Sequence, residues 1–380
     1  MNNLPPYTWL HPKSAPMWLV ALLVGLLPWY ATMAQNHLRV SEIGGFPQSE
    51  AGYAMGVSAC FAGTIGNHII MAGGCNFPDN SGVKHYYKGI YASCWQADTL
   101  QWRYIGTLPE PVAYGATVDM GDSLLLIGGN NQEHSLRQVV SVKLDPRGNA
   151  IVMRLPSLPV TVDNGAAAYA KGHVFVFGDN QNGKPSKALW SLSCSRPTSQ
   201  WKSRKAMPGK PRVQPVCVAH GQRLFAWGGF YAKGAKSKVA TDGYAYDVKR
   251  NRWAQLAAPR DAAGESLTLS GATGATNGEG LLLRLGGVNK TIFADAISGK
   301  YQLVDQADYL KQPVAWYRFN ATPLVFNAKT LRWLKPTTPD ARLARAGALL
   351  VGIAANQFLY IGGELKPGVR TPQILRIELE

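Results

Sequence analysis

Six short apolar runs punctuate the chain, and each closes on Gly-Gly or a near relative: HIIMAGG at Gly74, LLLIGG at Gly129, VFVFGD at Asp179, LFAWGG at Gly229, LLRLGG at Gly287 and FLYIGG at Gly363. Short apolar runs bounded by turn residues read as buried strands. A small-residue strand precedes the run in four units: YGATV at Tyr114, NGAAA at Asn164, QPVCV at Gln214 and RAGALL at Arg345. A further strand follows the glycines, such as GYAYD at Gly243. Each unit then ends on a Trp and a Leu/Pro close, as at Trp102 with Leu108-Pro109, Trp201 with Met207-Pro208 and Trp253 with Pro259.

The glycine ends lie 55, 50, 50, 58 and 76 residues apart, and the residues after Gly363 together with those from Gln35 to Gly74 make a further interval of 57. Four short strands per ~50 residues, with a glycine pair after the second, is the pattern of a kelch-type blade. The pattern therefore predicts an all-β, six-bladed kelch β-propeller over residues 35–380. The chain ends about one strand short of a sixth blade. Leu38 to Ile43, followed by Gly45-Phe46-Pro47, supplies the missing strand and closes the ring. The long interval places an aromatic-rich insertion at about 292–320 in blade five, long enough to cap one face.

Residues 1–34 fall outside this period. Met17 to Leu27 is apolar but short for a bilayer span, Lys13 precedes it, and Thr32-Met33-Ala34 offers a cleavage site. This predicts a signal peptide, an exported and periplasmic protein, and no stable membrane insertion after cleavage. The 46% apolar content, 40 Gly and 24 Pro argue against disorder and against a helical protein. The net charge of +16 is spread along the chain without a Lys/Arg block, so it does not point to nucleic acid. Cys60, Cys75, Cys94, Cys194 and Cys217 form no Cys-x-x-Cys pair and read best as small strand residues; one or two disulfides remain allowed. No Cys/His spacing fits zinc.

Propeller topology gathers the residues after the glycines at one mouth: Asn76, Asn130, Asn131, Asn180, Phe230, Asn289 and Glu364. The loops entering the first strands add Tyr114, Asn164, Arg212, Gln214, Glu265 and Arg345. Asn after Gly is also ordinary turn chemistry. In the last unit Pro367-Gly368 predicts a type II turn that brings Glu364 towards Arg370. Taken alone, that pair also fits a surface salt bridge across a hairpin.

GELKPGVRT at 363–371 closely resembles the motif of the kelch-type sialic acid mutarotases, or N-acetylneuraminate epimerases. GGVNKTIF at 286–293, PRVQ at 211–214 and AYGATV agree with that family. The order of the pieces resembles its cyclically permuted branch. The resemblance implies a six-bladed propeller that interconverts the α and β anomers of free N-acetylneuraminate, with Glu364 and Arg370 as the catalytic pair. Ring opening needs a base at the anomeric hydroxyl and an acid at the ring oxygen, and no metal or other cofactor. Glu364 suits the base and Arg370 the sugar carboxylate. Asn289, Arg212, Gln214 and Asn76 are candidate substrate-binding residues. A neighbouring Arg is expected to lower the Glu364 pKa. The rival reading is a non-catalytic propeller that binds sialic acid or another glycan. The Ser-x-Asp-x-Gly-x-x-Trp boxes of sialidases are missing, and the His residues show no copper-site spacing.

Overall fold

A computed structural model describes residues 38–79, 82–96, 99–196 and 199–380. The expected signal peptide lies outside the described residues. Among them the fold is almost wholly antiparallel β-sheet, consistent with a β-propeller.

Each apolar run is the second strand of a four-stranded sheet. The first sheet is built from Phe61–Ile65, His68–Ala72, Gly89–Cys94 and Arg103–Thr107. Ala116–Asp119, Leu124–Ile127, Val139–Leu144 and Ala150–Leu155 form the second. Ala166–Ala170, His173–Phe177, Leu189–Ser193 and Lys202–Arg204 form the third. Val213–His220, Arg223–Tyr231, Gly243–Asp247 and Arg252–Leu256 make the fourth, with Lys238–Val239 added beside its second strand. Thr273–Thr276, Leu281–Leu285, Leu324–Asn327 and Arg332–Trp333 make the fifth. In the last sheet, Leu349–Ala354, Gln357–Ile361 and Ile374–Leu379 are joined by Leu38–Ile43, which pairs antiparallel with the C-terminal strand from Leu38↔Leu379 to Ile43↔Ile374.

The second strands are buried on both faces, which is why they read as unbroken apolar runs rather than as alternation. The core is accordingly divided into clusters shared by sheets that follow one another in sequence. One cluster joins Val351, Leu359, Ile361 and Ile374 of the last sheet to Ile69, Met71 and Tyr91 of the first. Tryptophans tie sheets together as wedges. The indole N–H of Trp201 donates to Pro156 O, that of Trp253 to Lys205 O and that of Trp333 to Ala257 O, each a carbonyl at the end of the preceding sheet.

A second repeat was hidden in the sequence. At the start of each first strand, or just before it, sits one residue with positive φ: Ala59, Tyr114, Asn164, Gln214, Gly271 and Gly347, at 54°, 59°, 55°, 52°, 68° and 60°. Their backbones bond head to tail. Tyr114 N–H donates to Ala59 O, Asn164 to Tyr114, Gln214 to Asn164, Gly271 to Gln214, Gly347 to Gly271 and Ala59 to Gly347, at 2.8–3.2 Å. These bonds form a complete circuit that returns to its starting residue.

The insertion folds as a helix over Lys290–Ser298, a short helix over Gln306–Tyr309 and a 3-10 turn over Val314–Tyr317. Tyr301, Tyr309, Trp316, Tyr317 and Phe319 pack edge to face within it. All five cysteines are free thiols; Cys60 and Cys75 are buried, whereas Cys194 is exposed. No helix among the described residues is long and apolar enough to cross a membrane.

Candidate active site

After each glycine pair, or after Gly178-Asp179 in the third unit, the chain pairs with the residue preceding the hydrogen-bonded belt. Cys75 pairs with Ser58, Asn130 with Ala113, Asn180 with Asp163, Phe230 with Val213 and Glu364 with Ala346. Val288 N–H bonds to Ser270 O in the fifth unit. Of these six equivalent positions, only Glu364 carries a charge. Gly362 and Gly363 permit the approach: both have positive φ, and a Cβ on Gly362 would come within 2.6 Å of Val57 O.

Glu364 and Arg370 stand opposite each other in a two-stranded hairpin, with Gly368 at φ 85° in the turn. The Arg370 Nη1 lies 2.7 Å from Glu364 Oε2, too poorly aligned for a good hydrogen bond but a close ion pair. Arg370 Nε donates to Ser58 Oγ at 3.0 Å, and the guanidinium covers the Phe77 ring at 4.9 Å. The Arg370 side chain is 4% exposed and that of Glu364 22%, so this is no solvated surface pair. Arg370 lowers the Glu364 pKa as expected, but it is not the largest influence. Burial pushes the Glu364 carboxyl up, and the opposing pull of Arg370 and Lys84 does not reverse that direction.

Lys84, from the loop of the first sheet, stands on the same site. Its ammonium lies 4.9 Å from the Tyr114 ring centroid, 5.9 Å from that of Tyr86 and 6.0 Å from that of Phe77. It donates to the Tyr114 hydroxyl at 3.3 Å. The insertion reaches the same hairpin: Lys366 Nζ donates to Leu310 O and Gln312 O at 3.1 and 2.7 Å. Burial raises the Tyr309 phenol to about 12 and also raises that of Tyr317, and both phenols feel the Glu364 charge.

The other sequence candidates are engaged within the protein. Asn76 is buried; its amide donates to Gly52 O and Gly56 O, and its carbonyl accepts from Tyr87 Oη. Asn289 caps the insertion helix, accepting from the backbone N–H of Thr291 and Ile292. Both sit one residue beyond the position equivalent to Glu364, so strand alternation turns them away from its face. Gln214 donates to Asn164 Oδ1 at 2.7 Å. Arg212 clamps Asp242 through two bonds and Gly228 O through a third, beside a cleft of about 180 Å³ lined also by Lys210, Tyr231 and Lys238. Arg345 bonds Gly362 O in the same way, so this clamp recurs in the last unit. Sequence reasoning missed Lys84 and Phe77, whose only signal was their place in the loop after Gly74.

Comparison with known proteins adds independent support. The family model for N-acetylneuraminate epimerase matches residues 28–152 and 155–380. The N-acetylneuraminate epimerase of Salmonella newport (strain SL254) is 29% identical over 250 residues, covering 62% of this chain and 61% of the relative. That of Yersinia enterocolitica is 30% identical over 234 residues, covering 58% and 56%, and that of Haemophilus influenzae (strain PittEE) 29% over 232 residues, covering 57% of each. The chain thus spans about three fifths of the length of these curated relatives. With a match across nearly all of the described fold, the chain belongs to the N-acetylneuraminate epimerase family.

Proposed function

We propose that the sheets form a closed six-bladed propeller and that the protein interconverts the anomers of free N-acetylneuraminate at the mouth carrying Glu364. The unbroken circuit of backbone bonds and the core cluster shared by the last and first sheets support the ring. The observation that carries the function is the recessed Glu364–Arg370 pair at the one charged position of the repeat.

Glu364 takes the proton of the anomeric hydroxyl, and its raised pKa makes it a stronger base than an ordinary carboxylate. The C–O bond to the ring oxygen breaks, that oxygen gains a proton, and the open ketone turns. Reclosure on its other face returns both protons. Arg370 has Nε on Ser58 and Nη1 on Glu364, leaving the Nη2 edge for the sugar carboxylate. A bound carboxylate competes with Glu364 for the guanidinium and strengthens the base only when substrate is present. Asn76, Asn289, Gln214 and Arg212 shape the walls through their internal bonds.

Magnetisation-exchange spectroscopy on free N-acetylneuraminate tests this reading. The protein should accelerate α/β exchange, and Glu364→Gln should slow it by about two to four orders of magnitude. A glycan-binding propeller would bind the sugar without accelerating exchange. That result, or full exchange in Glu364→Gln, rejects the mechanism.

A further inference from the structure

The site described so far has a base but no named proton donor for the ring oxygen. We propose that Tyr114 is that donor and that Lys84 stabilises the phenolate left behind; this inference rests on the anomer-exchange reading.

The first observation is backbone placement. Of the six belt residues, Ala59, Asn164, Gln214, Gly271 and Gly347 are small or polar, and Tyr114 alone carries an aromatic ring. Tyr114 is held at φ 59°, a region in which a large side chain is a genuine outlier. Such outliers persist where the surroundings over-determine them, and they cluster at functional sites. Here the belt bonds at Tyr114 N–H and O fix the backbone, while the Lys84 contact fixes the ring.

The second observation is the pairing of charges. Lys84 Nζ lies 3.3 Å from the phenol oxygen. Phe77 lies under both cations, with Lys84 at 6.0 Å and Arg370 at 4.9 Å from its ring centroid. One aromatic floor therefore joins a carboxylate–guanidinium pair to a phenol–ammonium pair. A ring-opening reaction needs this polarity: a proton acceptor and a proton donor close together, each with a cation to balance the charge it handles. The groups acting on the phenol are the Cys75 thiol, Glu364 and Arg370, together with Lys84. Burial is the largest influence and raises the phenol pKa, as do Cys75 and Glu364, while Arg370 lowers it. Tyr114 is thus protonated at neutral pH, and because burial makes that proton harder to release, the role falls to the Lys84 ammonium to stabilise the phenolate.

The proton balance is closed. Glu364 gains the proton of the anomeric hydroxyl, and the electron pair of the breaking C–O bond goes to the ring oxygen. Tyr114 protonates that oxygen, and the phenolate is held by the Lys84 ammonium. On reclosure the sugar hydroxyl returns its proton to Tyr114 and attacks the ketone, whose oxygen takes the proton from Glu364. Nothing is oxidised or reduced, and no co-reactant is consumed.

The test compares exchange rate and sugar affinity in Tyr114→Phe, Lys84→Met and Lys84→Arg with those of the full protein and Glu364→Gln. Tyr114→Phe keeps the ring at the same φ and removes only the hydroxyl. Exchange should fall by about 10²–10⁴-fold, with affinity for N-acetylneuraminate within about threefold. Lys84→Met should lower the rate about tenfold through kcat rather than KM, and Lys84→Arg should recover most of it. Lys84 lies on a loop outside the sheets, so these variants keep the proposal testable if Tyr114→Phe folds poorly. Full exchange in Tyr114→Phe alongside a dead Glu364→Gln overturns this inference alone. Unchanged exchange in Lys84→Met removes Lys84 from it. A full protein that accelerates no exchange overturns the mutarotase reading, and this inference with it.

Discussion

Asp179 occupies the place where five of the six repeats have their second glycine. Its side chain is fully buried, and neither carboxylate oxygen finds an aligned hydrogen-bond partner among the described residues. Burial is the main reason its pKa rises to about 8, with the Asp163 charge adding to the rise and Gln181 opposing it. In the unfolded chain the same group titrates near 3.8. Between about pH 4 and pH 8 the folded state therefore holds a proton that the unfolded state has lost. A group with a raised folded pKa contributes its stability fully below the unfolded pKa and loses it as pH rises through the folded one. At ~1.4 kcal/mol per pH unit, wild-type stability should fall by about 4 kcal/mol from this group between pH 4 and pH 7. Asp179→Asn removes the titration while keeping the shape. The amide brings its own unpaired-group penalty of about 1–3 kcal/mol, but that penalty does not vary with pH. The informative quantity is thus the slope. Urea unfolding at half-unit steps from pH 4.5 to 8 should show the variant gaining on wild type by about 4 kcal/mol as pH rises. Slopes from other groups, Glu364 included, cancel in the comparison. Parallel profiles would refute the argument and mean that Asp179 is ionised and partnered in solution.

The remaining predictions concern the site and the pairing of Leu38–Ile43 with Ile374–Leu379. The pH–rate profile of anomer exchange should have an acid limb above the ordinary carboxylate range, because burial raises Glu364; a limb near pH 4 would contradict the base assignment. Arg370→Lys keeps the charge but loses the fork that serves Ser58 and Glu364 together; sugar affinity should drop about tenfold or more by titration calorimetry, and unchanged affinity removes Arg370 from carboxylate binding. Deleting residues 38–43 strips Ile374–Leu379 of its outer partner; the product should aggregate or unfold without cooperativity in calorimetry, and wild-type melting would show the pairing to be dispensable.

The apolar runs, the glycine pairs and the strand that joins the two chain ends could be read from sequence because each leaves a local signature of period or turn chemistry. Glu364 and Arg370 were legible for the same reason: one short turn dictates their approach. The belt was not, because positive φ at Ala59, Tyr114 and Gln214 has no residue signature; only the two glycines and Asn164 hint at it. Asn76 and Asn289 looked equivalent to Glu364 by sequence proximity. Their parity along the strand differs by one, and one residue reverses the face. Asp179 looked like an imperfect repeat, since burial is a property of the packed sheets and not of the letter. Lys84 was hidden because a loop lysine gains meaning only from the three rings that surround it.

Among the described residues, the sheet that bears the Glu364 hairpin is the one stitched from segments far apart in the chain, with Leu38 facing Leu379. Leu38–Ile43 precedes its partner Ile374–Leu379 by more than 300 residues, so it stays unpaired until that distant segment is in place. Other sheets need only nearby residues and can form in order as the chain emerges. The rate at which the sheet beside the Glu364–Arg370 hairpin is completed thus depends on two segments finding each other across more than 300 intervening residues. A chain that lacks Leu38–Ile43 or Ile374–Leu379 carries the Glu364–Arg370 hairpin beside a sheet that has not finished forming.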